Sequence, residues 1–201
     1  MDGPGDPRAA GFDASYAGTP PWEIGRPQPA FVELAEAGAL RGRVLDLGCG
    51  TGEHALLAAA LGLDASGIDS APTAIAIAQA KARERGLRAS FRVWDALELA
   101  ALGERYDTVL DSGLFHVLDD AERVRLAAGL RAVVVPGGHY HLLCFSDRQP
   151  GAFGPRRVSQ AEIRASFADG LTVDAIEPAR FAVTFSPAGA LAWRATITRS
   201  G

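Results

Sequence analysis

Sulfur is scarce in this chain: two cysteines, Cys49 and Cys144, and a single methionine among 201 residues. Two thiols, one of them inside a glycine-rich turn, cannot frame a disulfide-stapled secreted fold, so a reducing, cytoplasmic location is expected. Long apolar runs are missing too. No stretch approaches the roughly 20 residues of a membrane span, and Met1-Asp2-Gly3-Pro4-Gly5-Asp6-Pro7 lacks the shape of a secretory signal. His-x3-His and Cys-x2-Cys spacings are absent, so no metal is expected. Excess positive charge is absent as well: 24 acidic against 20 basic residues give a net charge of -4. Phosphate-backbone binding needs a basic face, so neither nucleic acid nor membrane is expected as a partner. Internal repeats and a second compositional block are also lacking, and the length fits one domain.

What is present is concentrated in Val44-Leu45-Asp46-Leu47-Gly48-Cys49-Gly50-Thr51-Gly52-Glu53-His54. An apolar strand runs into alternating glycines and then into an Ala/Leu helix. Glycines permit positive φ and let a ligand approach the backbone, because no Cβ intervenes. The following helix offers free N–H groups at its start. A strand, tight turn and helix of this kind form the floor of a nucleotide-type site in doubly wound sheets. The dinucleotide fingerprint G-x-G-x-x-G/A fits Gly48 and Gly50, but its third place falls on Glu53. Two carboxylates, Asp46 and Glu53, disfavour a pyrophosphate and favour a ligand with a cationic or hydroxyl-rich part.

The segment 44–53 resembles the first motif of the class I S-adenosylmethionine-dependent methyltransferases, and further markers of that family recur in order. S-adenosylmethionine (SAM) carries an ammonium, a sulfonium and a ribose diol, matching the electrostatic reading. The resemblance spans roughly residues 12–199 and implies a Rossmann-like α/β fold. Its seven-stranded sheet would be mostly parallel with an antiparallel C-terminal hairpin, and helices would cover both faces. Within the family the chain resembles small-molecule enzymes of the thiopurine, tellurite-resistance, heterocyclic-toxin and quinone types.

Site residues follow from strand positions and from the resemblance. Gly48, Gly50 and Gly52 form the turn, with Asp46 before it and His54 in the first turn of the helix behind it. Asp69, followed by Ser70, ends the second strand about twenty residues beyond the turn, where an acid accepts both hydroxyls of a ribose. Capping of the next helix is the alternative for Asp69. Asp95 and Ala96 end the third strand, and the resemblance implies that they meet the adenine; a turn aspartate competes with that reading. Asp111 ends the fourth strand, and Ser112-Gly113-Leu114-Phe115-His116 should face the transferring methyl group. His116 is the candidate general base, since imidazole titrates near neutrality; a histidine packed under the loop is the alternative. His139 and His141 share one strand face but lack a third ligand.

Residues 1–10 read as a disordered tail and 11–201 as a single domain. Residues 11–40 hold aromatics among prolines and read as a lid, with a covering strap as the alternative. Family members of this type carry a Trp-Glu-x-Gly segment like Trp22-Glu23-Ile24-Gly25, which places Trp22 near the cofactor. Phe12, Tyr16, Phe115, Phe145 and Phe153 are candidate substrate walls, suited to a flat apolar acceptor. The expectation is methyl transfer from SAM, leaving S-adenosylhomocysteine (SAH), to an O, N or S atom of a small aromatic or heterocyclic molecule. A non-catalytic SAM-binding module is the alternative, and the protein is read as a monomer or homodimer.

Overall fold

The computed structural model describes residues 7–201. The expected tail is therefore only partly described: residues 1–6 lie outside the described residues, and Pro7–Ser15 forms a helix, α1. The proline-interrupted stretch 16–28 carries no regular element and leads to α2 (Pro29–Glu36), with Pro29 at its first turn where no donor is needed. Alternating strands and helices follow: β1 (Arg43–Leu47), α3 (Glu53–Ala60), β2 (Asp64–Asp69), α4 (Pro72–Glu84) and β3 (Ala89–Val93). After a 3₁₀ segment, Ala96–Leu102, come β4 (Tyr106–Ser112), a 3₁₀ turn (Phe115–Val117), α5 (Asp120–Val133) and β5 (Val134–Phe145). The chain closes with α6 (Gln160–Ser166), β6 (Leu171–Val183) and β7 (Ser186–Arg199).

The seven strands lie in the order β3-β2-β1-β4-β5-β7-β6. The first five run parallel, and β7 pairs antiparallel with both β5 and β6. This is the sheet the sequence led us to expect. Chain order reverses at β1, between β2 and β4, and ligands in open α/β sheets bind beyond the carboxyl ends of the strands at such a point.

Both capping boxes form: Asp119 with Glu122 opens α5, and Ser159 with Glu162 opens α6. Helix α4 buries Ala74, Ile75, Ala78 and Ala82 on one stripe and stops at Gly86, whose φ of 63° suits a C-terminal glycine. One core joins the sheet to α5, α6 and the first 3₁₀ segment; two others join it to α2, α3 and α4 on the opposite face. Strand β5 begins earlier than the Pro-Gly-Gly turn implies. Val134 pairs with Tyr106 and His139 with Thr108, so residues 135–138 bulge out between two paired stretches. Strand β6 continues through Pro178, which an edge strand tolerates because its outer side needs no donor.

Candidate functional site

A cavity of about 500 Å³ opens beyond the carboxyl ends of β1 to β5. Its floor is the glycine-rich turn. Gly48 and Gly50 hold φ of 64° and 51°, conformations that L side chains rarely adopt. A Cβ at Gly48 would press on Leu114 at 3.2 Å. Asp69 lines the cavity beside them, with Ser70. Its carboxylate accepts the N–H of Gly50 and of Ala71, both at 2.8 Å. It thereby ties the turn to the start of α4, and each oxygen keeps a lone pair for a further donor. Burial raises its pKa, against the pull of the two N–H bonds. Asp95 and Ala96 line the same cavity, and Asp95 also caps the 3₁₀ segment through the Leu97 N–H at 2.8 Å. Both sequence readings of Asp95 are thus compatible with its position.

Four expected site residues do not reach the cavity wall. Asp46 is fully buried behind the turn: Oδ2 accepts the Ala55 N–H at 3.2 Å, and Oδ1 lies 3.6 Å from Nδ1 of His54. It fixes the start of α3 from below. Gly52 serves packing, since a Cβ there would lie 2.6 Å from the Phe91 ring. Asp111 is fully buried, and it accepts the Tyr140 hydroxyl at 2.7 Å and the Leu114 N–H at 2.8 Å. Burial pushes its pKa up to about 6. It shapes the loop after β4 from behind. Phe115 points into the core, against Phe167 and beneath the Arg123 guanidinium.

Glu53 also departs from its expected electrostatic role. Lys81 and Arg85 bond its carboxylate at 2.8 Å. Burial would raise its pKa, but those bonds outweigh burial and hold it below the usual carboxylate range. Its charge is therefore already balanced where it lines the cavity, and Asp69 and Asp95 are the expected acids there that no basic side chain pairs.

The loop after β4 does bring His116 to the cavity, in a form different from the one expected. The Phe145 main-chain N–H donates to Nδ1 at 3.0 Å, so the neutral ring carries its proton on Nε2. Nε2 has no protein partner among the described residues, and the ring lines the cavity. Burial, with Arg123 and Arg157 nearby, lowers its pKa to about 3. A ring already protonated on its free nitrogen is a hydrogen-bond donor, not a base. Phe145 and Phe181 box it in, at centroid distances of 5.1 and 5.8 Å.

The strap over the cavity is anchored at several points. The Thr51 hydroxyl donates to Glu23 at 2.5 Å. The Gln28 N–H donates to Nε2 of His54 at 3.2 Å, so His54, which lines the cavity, also holds the strap. The Gln28 side chain bonds Ala182 twice, at 3.0 and 2.8 Å, in place of a strand partner. The Thr184 N–H donates to the Pro21 carbonyl at 2.9 Å. Helix α1 is fixed by Asp13, which accepts the Thr73 N–H at 2.8 Å, and by the ion pair of Arg8 with Glu122. Phe12, Tyr16 and Trp22 all line the cavity, with Trp22 packed edge-on to the other two rings.

Phe145 and Phe153 line the far end, Phe153 at 82% exposure. Sequence reasoning missed Phe181, Val183 and Phe185, which line the cavity as well. For Phe181 and Val183 on β6 their spacing of two was the available signal, because residues two apart share a strand face, whereas Phe185 lies in the turn beyond β6. It also missed Arg26, Leu114 and Trp94. His139 and His141 stack at 5.8 Å away from the cavity lining, and no group of three metal-binding side chains occurs among the described residues. Nor does any described helix have the length and apolarity to cross a membrane.

A seven-stranded sheet of this order, with a glycine turn and a strand-tip acid at its reversal point, defines the class I methyltransferase architecture. Residues 44–138 match the family described as a methyltransferase domain. The chain is 39% identical over 180 residues to the 2-heptyl-1-hydroxyquinolin-4(1H)-one methyltransferase of Mycobacteroides abscessus, covering 84% of this chain and 79% of that one. It is 28% identical over 163 residues to the probable thiol methyltransferase 2 of Arabidopsis thaliana, covering 77% and 70%. A solved structure concerned with conversion of a disulfide bond into a thioacetal group during echinomycin biosynthesis superimposes with a TM-score of 0.86 at 37% identity, over 96% of this chain and 93% of that one. The chain belongs to the class I SAM-dependent methyltransferases, and its cofactor is SAM. It is therefore an enzyme, rather than the non-catalytic binding module that the sequence left open, and it methylates small molecules.

Proposed function

We propose that this enzyme methylates an oxygen or nitrogen of a planar, weakly acidic aromatic heterocycle of the hydroxyquinolone or quinol kind. The observation that carries this reading is His116: one polar donor, Nε2–H, set between Phe145 and Phe181 at the reacting end of the sheet. A flat ring fits aromatic walls, and a donor steadies the anion of an acceptor that ionises by itself. The hydroxyquinolone acceptor in the name of the Mycobacteroides relative is of that chemical kind.

The cavity suits the cofactor. Gly48 and Gly50, in left-handed backbone that L side chains rarely adopt, make bare main chain the cavity floor, and Asp69 retains acceptor capacity for a ribose diol. Asp69 and Ser70 would hold the ribose, Asp95 and Ala96 the adenine, and the glycine turn, His54 and Trp22 the amino-acid end. When bound, SAM supplies a methyl group activated by its sulfonium. The protein's part is alignment and exclusion of water. Segment 11–40 serves as the lid that excludes water, Phe12, Phe145 and Phe153 flank the acceptor, and His116 orients it. The two free, buried cysteines are consistent with a reducing cytoplasm. We take the partner to be a small molecule, with no nucleic acid and no membrane, and the assembly to be a monomer or homodimer.

Incubation with SAM and a panel of hydroxyquinolones, quinols and thiols, read by mass spectrometry, tests this reading. Methylated hydroxyquinolone or quinol is expected in preference to methylated thiol. Turnover confined to thiols would overturn the acceptor class.

A further inference from the structure

The loop between β5 and α6 is built around one side chain. Main-chain bonds close its base: the Asp147 N–H donates to the Val158 carbonyl at 2.9 Å, and the Val158 N–H to the Phe145 carbonyl at 3.0 Å. Arg157 then reaches back into the loop. Its Nε donates to the Gln149 carbonyl at 3.2 Å and Nη1 to that of Pro155 at 2.6 Å. Nη2 donates to the carbonyls of Gly151 and Phe153, at 3.1 and 2.8 Å. All the guanidinium nitrogens are thus spent on alternate carbonyls, at residues 149, 151, 153 and 155. Only a rigid fork of donors reaches so many acceptors at once. Gly151 and Gly154, with φ of 80° and 97°, make the bends that bring those carbonyls together.

The same guanidinium stands over the Phe145 ring, 5.4 Å from its centroid, and Phe145 in turn packs against His116 at 5.1 Å. The loop lies against that ring as well, since a Cβ at Gly154 would be 3.7 Å from it. Its tip reaches the cavity: Phe153, Gly154 and Pro155 line it, and Phe185 lines it from the turn beyond β6. Phe153 and Phe185 are 82% and 61% exposed, so neither ring is held by the core. Arg157 nevertheless fixes the main chain of Phe153 through its carbonyl. An exposed ring on a pinned main chain, at the mouth of a cavity, is set to be covered by what the cavity binds.

We propose that Arg157 is the positioning residue of the acceptor site: by holding four carbonyls of the loop it sets Phe153, Gly154 and Pro155 as the outer wall of the acceptor space. The proposal rests on the acceptor lying beside His116 and Phe145, as given above. Arg157 does not itself line the cavity and acts through the loop. It therefore governs how tightly the acceptor is held, and not the transfer step. Removing a contact made equally before and at the transition state raises KM and leaves kcat unchanged. The glycine turn, Asp69 and Asp95 lie on other segments, so cofactor binding is independent of this loop.

The test uses the full chain, the variants Arg157→Met, Arg157→Lys and Phe153→Ala, and the hydroxyquinolone, quinol and thiol panel. SAH affinity by calorimetry should stay within about twofold of wild type in all three variants, which also reports that they fold. KM for the acceptors that the wild type turns over should rise at least about fivefold in each, with kcat within about twofold. Arg157→Lys should resemble Arg157→Met, because an ammonium lacks the fork that spans the carbonyls. Amide exchange of residues 148–157 should quicken in both Arg157 variants, and should slow in the SAH-bound wild type when an acceptor is added. Full recovery in Arg157→Lys would place the effect in the charge and overturn the proposal. So would a fall in kcat at unchanged KM, a loss of SAH affinity, or no slowing of exchange by any panel compound. Turnover confined to thiols would overturn the acceptor class proposed above and not this role, which is then read from the thiol KM.

Discussion

The main-chain N–H of Phe145 donates to Nδ1 of His116 at 3.0 Å, and this one bond assigns the ring's chemistry. It ties the loop after β4 to the end of β5 and leaves the ring proton on Nε2. With the pKa lowered to about 3 by burial, Arg123 and Arg157, the ring does not titrate in the working range. The pH dependence of kcat/KM should therefore follow ionisation of the acceptor. Its limb should move when acceptors of different acidity are compared, and keep its shape in His116→Phe. That variant should lose about 10- to 100-fold in kcat/KM, the worth of a hydrogen bond to a charged group. A limb near pH 6.5 that disappears in the variant would restore His116 as a base.

Asp69 is the acid that both shapes the turn and faces the cavity. Asp69→Ala should weaken SAH at least tenfold by calorimetry, about 1.4 kcal/mol. Asp46→Asn acts from behind the turn, so its effect should appear first in thermal stability.

Gln28 joins the strap to the edge of β6 through two side-chain bonds to Ala182. Gln28→Ala should cost about 1–3 kcal/mol and lower Tm by roughly 2–10 °C. Differential scanning calorimetry measures the loss. Proteolysis in residues 16–28 should accelerate in parallel, and unchanged cleavage would show that the strap holds without this bond pair.

His141 offers a second pH test, of stability. Burial, followed by His139, Arg194 and Arg41, lowers its pKa from 6.5 to about 4. The unfolded chain therefore takes up a proton that the folded chain refuses, and this residue makes stability fall as pH drops from about 6.5 toward 4. Denaturant unfolding of wild type and His141→Asn at pH 7.5 and pH 5 isolates the contribution. The wild type's stability relative to the variant should decline at pH 5; a constant difference would contradict the assignment.

The parts that were legible in the sequence were governed by local rules. Alternating glycines after an apolar strand, Pro at a helix start, and Asp119 or Ser159 three residues before a glutamate all act within a few residues of themselves. What escaped depended on which way a strand-tip residue faces. Asp46, Asp69 and Asp111 each sit near the end of a parallel strand, yet only Asp69 lines the cavity. Asp111 is turned toward Tyr140, and Asp46 toward the Ala55 N–H. Those partners lie 29 and 9 residues away, and nothing in the strand pattern names them. Phe115 was drawn inward for the same reason, by Phe167 and Arg123. Within the stretch read as a tail Arg8 pairs with Glu122 on α5, and just beyond it Asp13 accepts the Thr73 N–H on α4, partners that composition does not name.

A crystal structure with SAH bound tests the central claim most directly. The account predicts the ribose hydroxyls on Asp69, the adenine beside Asp95 and Ala96, and the sulfur directed toward the space between His116, Phe145 and Phe181. A ligand lying with its sulfur away from His116, or seated outside this cavity, would contradict it.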